Sequence, residues 1–138
     1  YMSIKEERNL SLYRGYENKI KELGSTARLM SMRSVINMVI NSSAEKYYIS
    51  LERAVEAVTL CEKGKIHNVA NKNTRKMYQS IYEKYLEKRK DVYFKWCYKY
   101  QVVDIVINST APSYFMDIEN AMIVIYTALK NRRKKCVH

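Results

Sequence analysis

Apolar residues recur along the chain three or four positions apart, the spacing that places side chains on one face of an α-helix. The pattern predicts amphipathic helices at about 26–41 and immediately after Ser50. An earlier helix is predicted to start with the capping-box residues Ser3 and Glu6 and to end at Gly24. The apolar positions of the two amphipathic helices are Leu29, Met30, Ile36, Val39 and Ile40, then Leu51, Ala54, Val55 and Val58.

The chain also matches itself in two blocks. Residues 11–22 align with 80–91, where one serine, two tyrosines and two lysines are identical. Residues 39–48 align with 106–115, where Val, Ile, Asn, Ser, Ala and Tyr are identical. The offset falls from 69 to 67 between the blocks, which places two extra residues of the first copy near the Gly24-Ser25 loop. Self-similarity of this kind indicates an internal duplication.

Each repeat is predicted to fold as three helices, which makes the chain all-α. In the second repeat the middle helix is expected at about 92–108, and the third helix after the capping residue Asp117. Apolar residues replace one another at matching positions of the copies, as expected for buried faces. In the second copy these are Trp96, Cys97, Val103, Val106 and Ile107, then Ile118, Ala121, Met122 and Ile125. The predicted architecture is two quasi-equivalent three-helix units, 1–67 and 68–134, sharing one core, with a basic tail end at 135–138.

The connections before the third helices carry the recurring tyrosines Tyr47 and Tyr114. These connections are longer than the turn of three or four residues in a DNA-reading helix-turn-helix. A tyrosine nucleophile would need Arg, His or a metal beside it to stabilise a phosphate transition state. No cation recurs beside both tyrosines, so we expect them to be aromatic anchors of the loops.

Composition points away from an enzyme. The 138 residues contain no phosphate-cradling glycine loop, HExxH motif or Ser/His/Asp set. Their 3 Gly and 1 Pro argue against a β-sandwich or barrel, which needs frequent turns. The cysteines Cys61, Cys97 and Cys136 and the histidines His67 and His138 lack metal-ligand spacing. No apolar run reaches the 18 residues or so that span a bilayer. We therefore expect a non-enzymatic cytoplasmic protein without metal or cofactor.

The net charge of +11 is uneven along the sequence. Residues 1–67 hold 11 Lys and Arg against 8 Asp and Glu, whereas residues 68–138 hold 14 against 6. This balance favours a polyanionic partner, and the preferred hypothesis is nucleic acid, DNA more than RNA, held mainly through phosphate contacts. The alternatives are an adaptor that binds an acidic protein and a protein that associates with an anionic membrane surface.

Basic residues of the second half are the candidate phosphate ligands. The set comprises Arg75, Lys76, Lys95, Lys99, Arg132, Arg133, Lys134 and Lys135. Tyrosines three apart on the first helix of each repeat could stack on unpaired bases or line the seam with the neighbouring helices. These are Tyr13 and Tyr16, then Tyr82 and Tyr85.

The two Asn-Ser-(Ser/Thr)-Ala-x-x-Tyr-(Tyr/Phe) blocks, at 41–48 and 108–115, carry a resemblance. They resemble a duplicated segment, similar to Asn-Ser-Pro-Ala-Pro-x-Phe-Tyr, in small basic helical proteins of gut Bacteroidales. Pro112 keeps one of those prolines, whereas Ser43 and Glu45 depart from the pattern. The resemblance implies the duplication and a bacterial cytosolic setting, and it brings no catalytic residue.

Overall fold

A computed structural model describes the backbone of residues 2–136 and the side chains of residues 2–133. Over this part of the chain the structure is helical, and the predicted all-α class is confirmed. The helices are α1 (Ile4–Leu23), α2 (Met32–Ile40), α3 (Leu51–Glu62), α4 (Lys72–Arg89), α5 (Lys99–Ile107) and α6 (Ile118–Cys136). Short 3-10 turns lie at Gly24–Leu29, Ile66–Asn68 and Val92–Phe94.

Side-chain caps fix three helix starts where the sequence predicts them. Ser3, Ser50 and Asp117 each accept a hydrogen bond from the backbone N–H three residues further on, at 3.1, 3.3 and 2.8 Å. The bonds satisfy donors that the first turn of a helix leaves without an intrahelical partner. Gly24 follows α1 with a φ of +57°, a backbone conformation that favours glycine.

The middle helices are shorter than predicted. They begin at Met32 and Lys99, because a 3-10 turn occupies the residues where the helix was expected to start. The prediction that Leu29 and Trp96 are buried is wrong, since both side chains lie almost fully in solvent. The apolar spacing continues across the 3-10 turn, where the α-helix is interrupted. The helical period therefore predicts a buried face at Leu29 and Trp96, although neither residue lies in an α-helix.

The described helices form two compact units. The first unit combines residues up to Ser43 with those from Pro112 onward and contains α1, α2 and α6. The second unit is Ala44–Ala111 and contains α3, α4 and α5. Within each unit all three helices pack on one another. The units therefore do not coincide with the sequence halves 1–67 and 68–134, and those repeat boundaries stay a prediction about the sequence.

The core of the first unit lies among α1, α2 and α6. Its buried side chains are Leu12, Val35, Ile36, Val39, Ile40, Tyr114, Ala121 and Ile125. The predicted burial of Val39 and Ile125 is confirmed. Gly15 allows α1 to approach α2, because a Cβ built on Gly15 would lie only 3.0 Å from Cγ1 of Val39.

The second unit has its own core. Its buried side chains are Ala44, Tyr47, Ala54, Ala57, Val58, Ile81, Tyr85, Val102, Val103, Val106, Ile107 and Ala111. The predicted burial of Val58 and Val106 is confirmed. Two backbone hydrogen bonds pair Ala44 with Ala111, at 2.9 and 3.0 Å, and close the unit where the chain enters and leaves it.

The loop tyrosines are buried anchors in both units. In the second unit the N–H of Tyr47 donates to the carbonyl of Ile107 at 2.9 Å, and its hydroxyl lies 2.6 Å from Oγ of Ser80. In the first unit the N–H of Tyr114 donates to the carbonyl of Ile40 at 3.1 Å. Each ring fills space between helices while its polar atoms find partners, as a buried tyrosine requires.

Candidate functional site

The connection between α4 and α5 carries the densest group of exposed aromatic rings. In the stretch Val92–Tyr100, here called the aromatic segment, four rings lie largely in solvent. Their exposed fractions are 88% for Tyr93, 88% for Trp96, 71% for Tyr98 and 53% for Tyr100. The sequence prediction missed this group because it placed Trp96 in a helix face. The available signal was five aromatic residues within eight positions, at spacings that no single helix face accommodates.

The backbone of the aromatic segment is held in place from α4. Asp91 accepts a hydrogen bond from the N–H of Tyr93 at 3.0 Å and so caps the 3-10 turn. The guanidinium of Arg89 donates to the carbonyls of Phe94 and Cys97 at 3.0 and 2.6 Å. These bonds tie the backbone of the aromatic segment to the end of α4.

Arg89 is itself fixed on α4. Its Nε donates to the hydroxyl of Tyr85 at 2.8 Å, and its guanidinium carbon lies 5.2 Å from the centroid of the Tyr85 ring. Tyr85 is buried. Arg89 therefore ties the turn to α4, and its Nε and Nη1 already donate within the protein.

One exposed ring and one half-buried ring of the segment lie beside lysines. Nζ of Lys95 lies 5.5 Å from the ring centroid of Trp96, within the range of a cation–π contact. Nζ of Lys88 lies 5.6 Å from the ring centroid of Phe94. The rings of Tyr98 and Tyr100 are nearly parallel, with centroids 5.9 Å apart and an angle of 8° between planes. The segment thus combines flat apolar faces with positive charge.

Three lysines at this end of the second unit keep their charge available. Lys88, Lys90 and Lys95 form no ion pair with any residue among 2–133. Lys90 and Lys95 are exposed, and Lys88 is half-buried. Lys99, a predicted phosphate ligand, instead pairs with Glu62 of α3 at 2.5 Å. Of the two predicted ligands in this region, Lys95 is available and Lys99 is occupied.

The structure separates Arg75 and Lys76 from the aromatic segment. Both lie in the first turns of α4, and the rise of 1.5 Å per residue puts Lys76 about 20 Å from Arg89 at the other end. Nε of Arg75 donates to the carbonyl of Val69 at 3.2 Å, which ties α4 to the preceding loop. Lys76 is exposed. The predicted residues of the second unit therefore do not form one cluster.

The basic C-terminal residues belong to the first unit, in α6, which runs past its expected end near Leu129. The guanidinium of Arg132 donates to the hydroxyl of Tyr13 at 3.2 Å and pairs with the carboxylate of Glu17. These contacts raise the pKa of Arg132 above its ordinary value, the hydrogen bond to Tyr13 being the main cause. Arg133 is exposed. The side chains of Lys134 and Lys135 lie outside the described residues.

The uneven charge along the sequence does not carry over to the compact units. The first unit holds 12 Lys and Arg against 6 Asp and Glu, and the second holds 13 against 8. The net charges are thus +6 and +5, because the basic segment after Pro112 joins the first unit. Neither unit is distinguished by total charge, so the arrangement of local charges is more informative.

Tyr47 does not resemble an activated nucleophile. Burial raises the pKa of Tyr47, and this outweighs the effect of the hydrogen bond between Tyr47 and Ser80, which lowers it. The charge of Glu83 raises it further. A raised pKa disfavours the phenolate, the reactive form of tyrosine. The environment of Tyr47 is that of a structural residue.

Neither a metal site nor a related protein points to a further functional site. Among the described residues, no group of three or more His, Cys, Asp or Glu side chains is placed to hold a metal ion. No helix in the same part of the chain is both long and apolar enough to cross a membrane. No known protein family, curated protein or solved structure matches the chain.

Proposed function

We propose that the protein binds nucleic acid without catalysing a reaction, and that the α4–α5 end of the second unit is its binding surface. The observation that carries this proposal is that Lys95 lies beside the exposed ring of Trp96, while Lys88 and Lys90, at the C-terminal end of α4, form no ion pair among the described residues. Lysine side chains bind the phosphates of a nucleic-acid backbone, and aromatic side chains can stack on its bases. The proposed setting is the bacterial cytoplasm.

An adaptor for an acidic protein is the second candidate. Val92 is 83% exposed and has no polar atom in its side chain, and tryptophan and tyrosine are common at the centres of protein interfaces. An acidic peptide would also satisfy the lysines. Nucleic acid is favoured because it supplies regularly spaced negative charges together with flat rings, and the aromatic segment offers partners for both.

Binding of labelled DNA and RNA by two matched charge variants tests the proposal. The site variant changes Lys88, Lys90 and Lys95 to Gln, and the control variant changes Lys5, Lys21 and Lys130 of the first unit to Gln. Both variants have three fewer positive charges, so they differ only in where the charge is removed. The site variant is expected to bind more weakly and to show a shallower dependence of log affinity on log salt, by about 0.9 for each duplex phosphate that the protein no longer neutralises.

Equal weakening of binding in the two variants would contradict a localised site, since it would show attraction by overall charge. Binding of poly-glutamate with no binding of DNA or RNA by the wild type would contradict nucleic-acid binding and favour the adaptor.

We also propose that the chain is an internal duplication whose third helices are exchanged between the repeats. Two matched hydrogen bonds support this. Tyr114 bonds Ser11 in the first unit, and Tyr47 bonds Ser80 in the second, at 2.7 and 2.6 Å. The sequence alignment equates Ser11 with Ser80 and Tyr47 with Tyr114, so each bond joins the first helix of one repeat to the loop of the other. The grouping of α3 with α4 and α5, and of α6 with α1 and α2, has the same pattern.

A further inference from the structure

The aromatic segment carries several exposed aromatic side chains close together in the chain. Single exposed apolar side chains are common on proteins, but contiguous exposed patches usually mark a binding surface. Tyr93, Trp96, Tyr98 and Tyr100 lie within eight positions, each more than half exposed. Hydrogen bonds that involve Asp91 and Arg89 hold the turn that carries Tyr93 and Trp96. Binding would therefore not have to order this backbone first.

The chemistry of the surface selects its occupant. Exposed aromatic faces can stack on other flat rings, and the neighbouring lysines can bind negatively charged groups. In a duplex the base faces are covered by their stacked neighbours, and only the base edges are reached through the grooves. An unpaired strand presents both base faces and phosphates, with a negative charge at every nucleotide.

We propose that the aromatic segment binds single-stranded nucleic acid by stacking unpaired bases on Trp96 and Tyr93, while Lys90 and Lys95 hold the adjoining phosphates. This inference rests on the proposed nucleic-acid binding and names its ligand class. Stacking tolerates every base, because each has a flat face, so the surface binds single strands with little sequence preference. Tyr98 and Tyr100 extend the same aromatic surface into the start of α5.

The fluorescence of Trp96 can be used to detect stacking on its indole ring. It is the only tryptophan of the chain, so tryptophan emission comes from this residue alone. A base stacked on the indole quenches that emission. The full-length protein is titrated with three probes of about 20 nucleotides: oligothymidylate, a blunt duplex, and an abasic strand with the same phosphates and no bases. Affinity is followed separately by the anisotropy of a label on each probe.

We expect oligothymidylate to bind most tightly and to quench the emission of Trp96 to saturation. The duplex and the abasic strand should bind more weakly and leave the emission nearly unchanged. Replacing the indole in Trp96→Ala should weaken oligothymidylate binding about tenfold, whereas Trp96→Phe should retain most of it. Tyr126→Ala is the matched control, because Tyr126 is 52% exposed on α6 in the other unit, and it should bind like the wild type.

The outcomes separate the inference from the function on which it rests. Equal affinity for all three probes, with no quenching and no effect of Trp96→Ala, would overturn stacking and leave phosphate binding in place. Absence of saturable binding to every probe would overturn both. Circular dichroism checks that each variant is folded, which the exposure of Trp96 leads us to expect.

Discussion

The hydroxyl of Tyr114 lies 2.7 Å from Oγ of Ser11, a residue 103 positions earlier in the chain. The bond is buried, and it ties the loop before α6 to α1 within the first unit. Its counterpart joins Tyr47 to Ser80 in the second unit. The two bonds use equivalent residues of the proposed repeats, and they show why serine and tyrosine recur in the sequence at these places.

Substitution of Tyr114 separates the anchor from the nucleophile hypothesis. Tyr114→Phe leaves the buried hydroxyl of Ser11 without this partner and should lower the free energy of unfolding by about 1–3 kcal/mol. Tyr114→Ala also removes the ring and should cost about 3–5 kcal/mol. Urea denaturation measures both. Oligonucleotide binding by Tyr114→Phe should match the wild type; a stable variant without function would instead favour a chemical role for the hydroxyl.

Ile125 and Ile123 provide a matched pair on α6. Ile125 is fully buried, whereas Ile123 is 63% exposed. Ile125→Ala should lower the free energy of unfolding by about 2–4 kcal/mol, since it removes buried apolar atoms and leaves a cavity. Ile123→Ala should change it by less than about 1 kcal/mol. Similar destabilisation of the two variants, measured by urea denaturation, would mean that the buried face of α6 is assigned incorrectly.

Stability at alkaline pH should depend on Tyr47. Burial raises its pKa above the ordinary value of 10.0, so the folded state holds the phenol proton more tightly than the unfolded state. The resulting stability is fully present below pH 10 or so and is lost as the pH rises through the folded-state pKa. Urea denaturation across this range should show a steeper decline in stability for the wild type than for Tyr47→Phe. Identical pH dependences would contradict the assigned shift.

The proposed exchange of third helices predicts how the chain responds to a single cut. A protease site placed at Gly64 divides the chain into a fragment with α1, α2 and α3 and a fragment with α4, α5 and α6. Each compact unit then contains helices of both fragments, so the cut protein should remain one species on size exclusion and separate only in denaturant. Fragments that separate under native conditions would contradict the grouping of the helices.

Local signals carried most of the correct predictions about the fold. Ser50 and Asp117 mark helix starts because a cap depends only on the next three residues. The sequence identifies Val39, Val58, Val106 and Ile125 as core because the helical period continues unbroken around them. Leu29 and Trp96 were misassigned because the apolar spacing crosses a 3-10 turn.

The sequence pattern does not predict which distant helices and side chains pair with one another. Two copies of a repeat have the same apolar faces, so the pattern does not say which third helix packs on which first helix. The pairing of Lys99 with Glu62 joins residues 37 positions apart, and that of Arg132 with Glu17 joins residues 115 apart. Both basic residues therefore looked available in the sequence. Of the predicted ligands, Lys95 lies in the proposed site.

The salt dependence of binding to a single strand tests the central claim most directly. Wild-type protein is titrated with labelled oligothymidylate at salt concentrations from about 50 to 200 mM. Phosphate contacts from Lys88, Lys90 and Lys95 predict saturable binding whose log affinity falls linearly with log salt, with a slope near −2 at about 0.7 per phosphate. Binding that does not saturate, or an affinity that does not change over this range, would contradict the claim that the protein binds nucleic acid through these lysines.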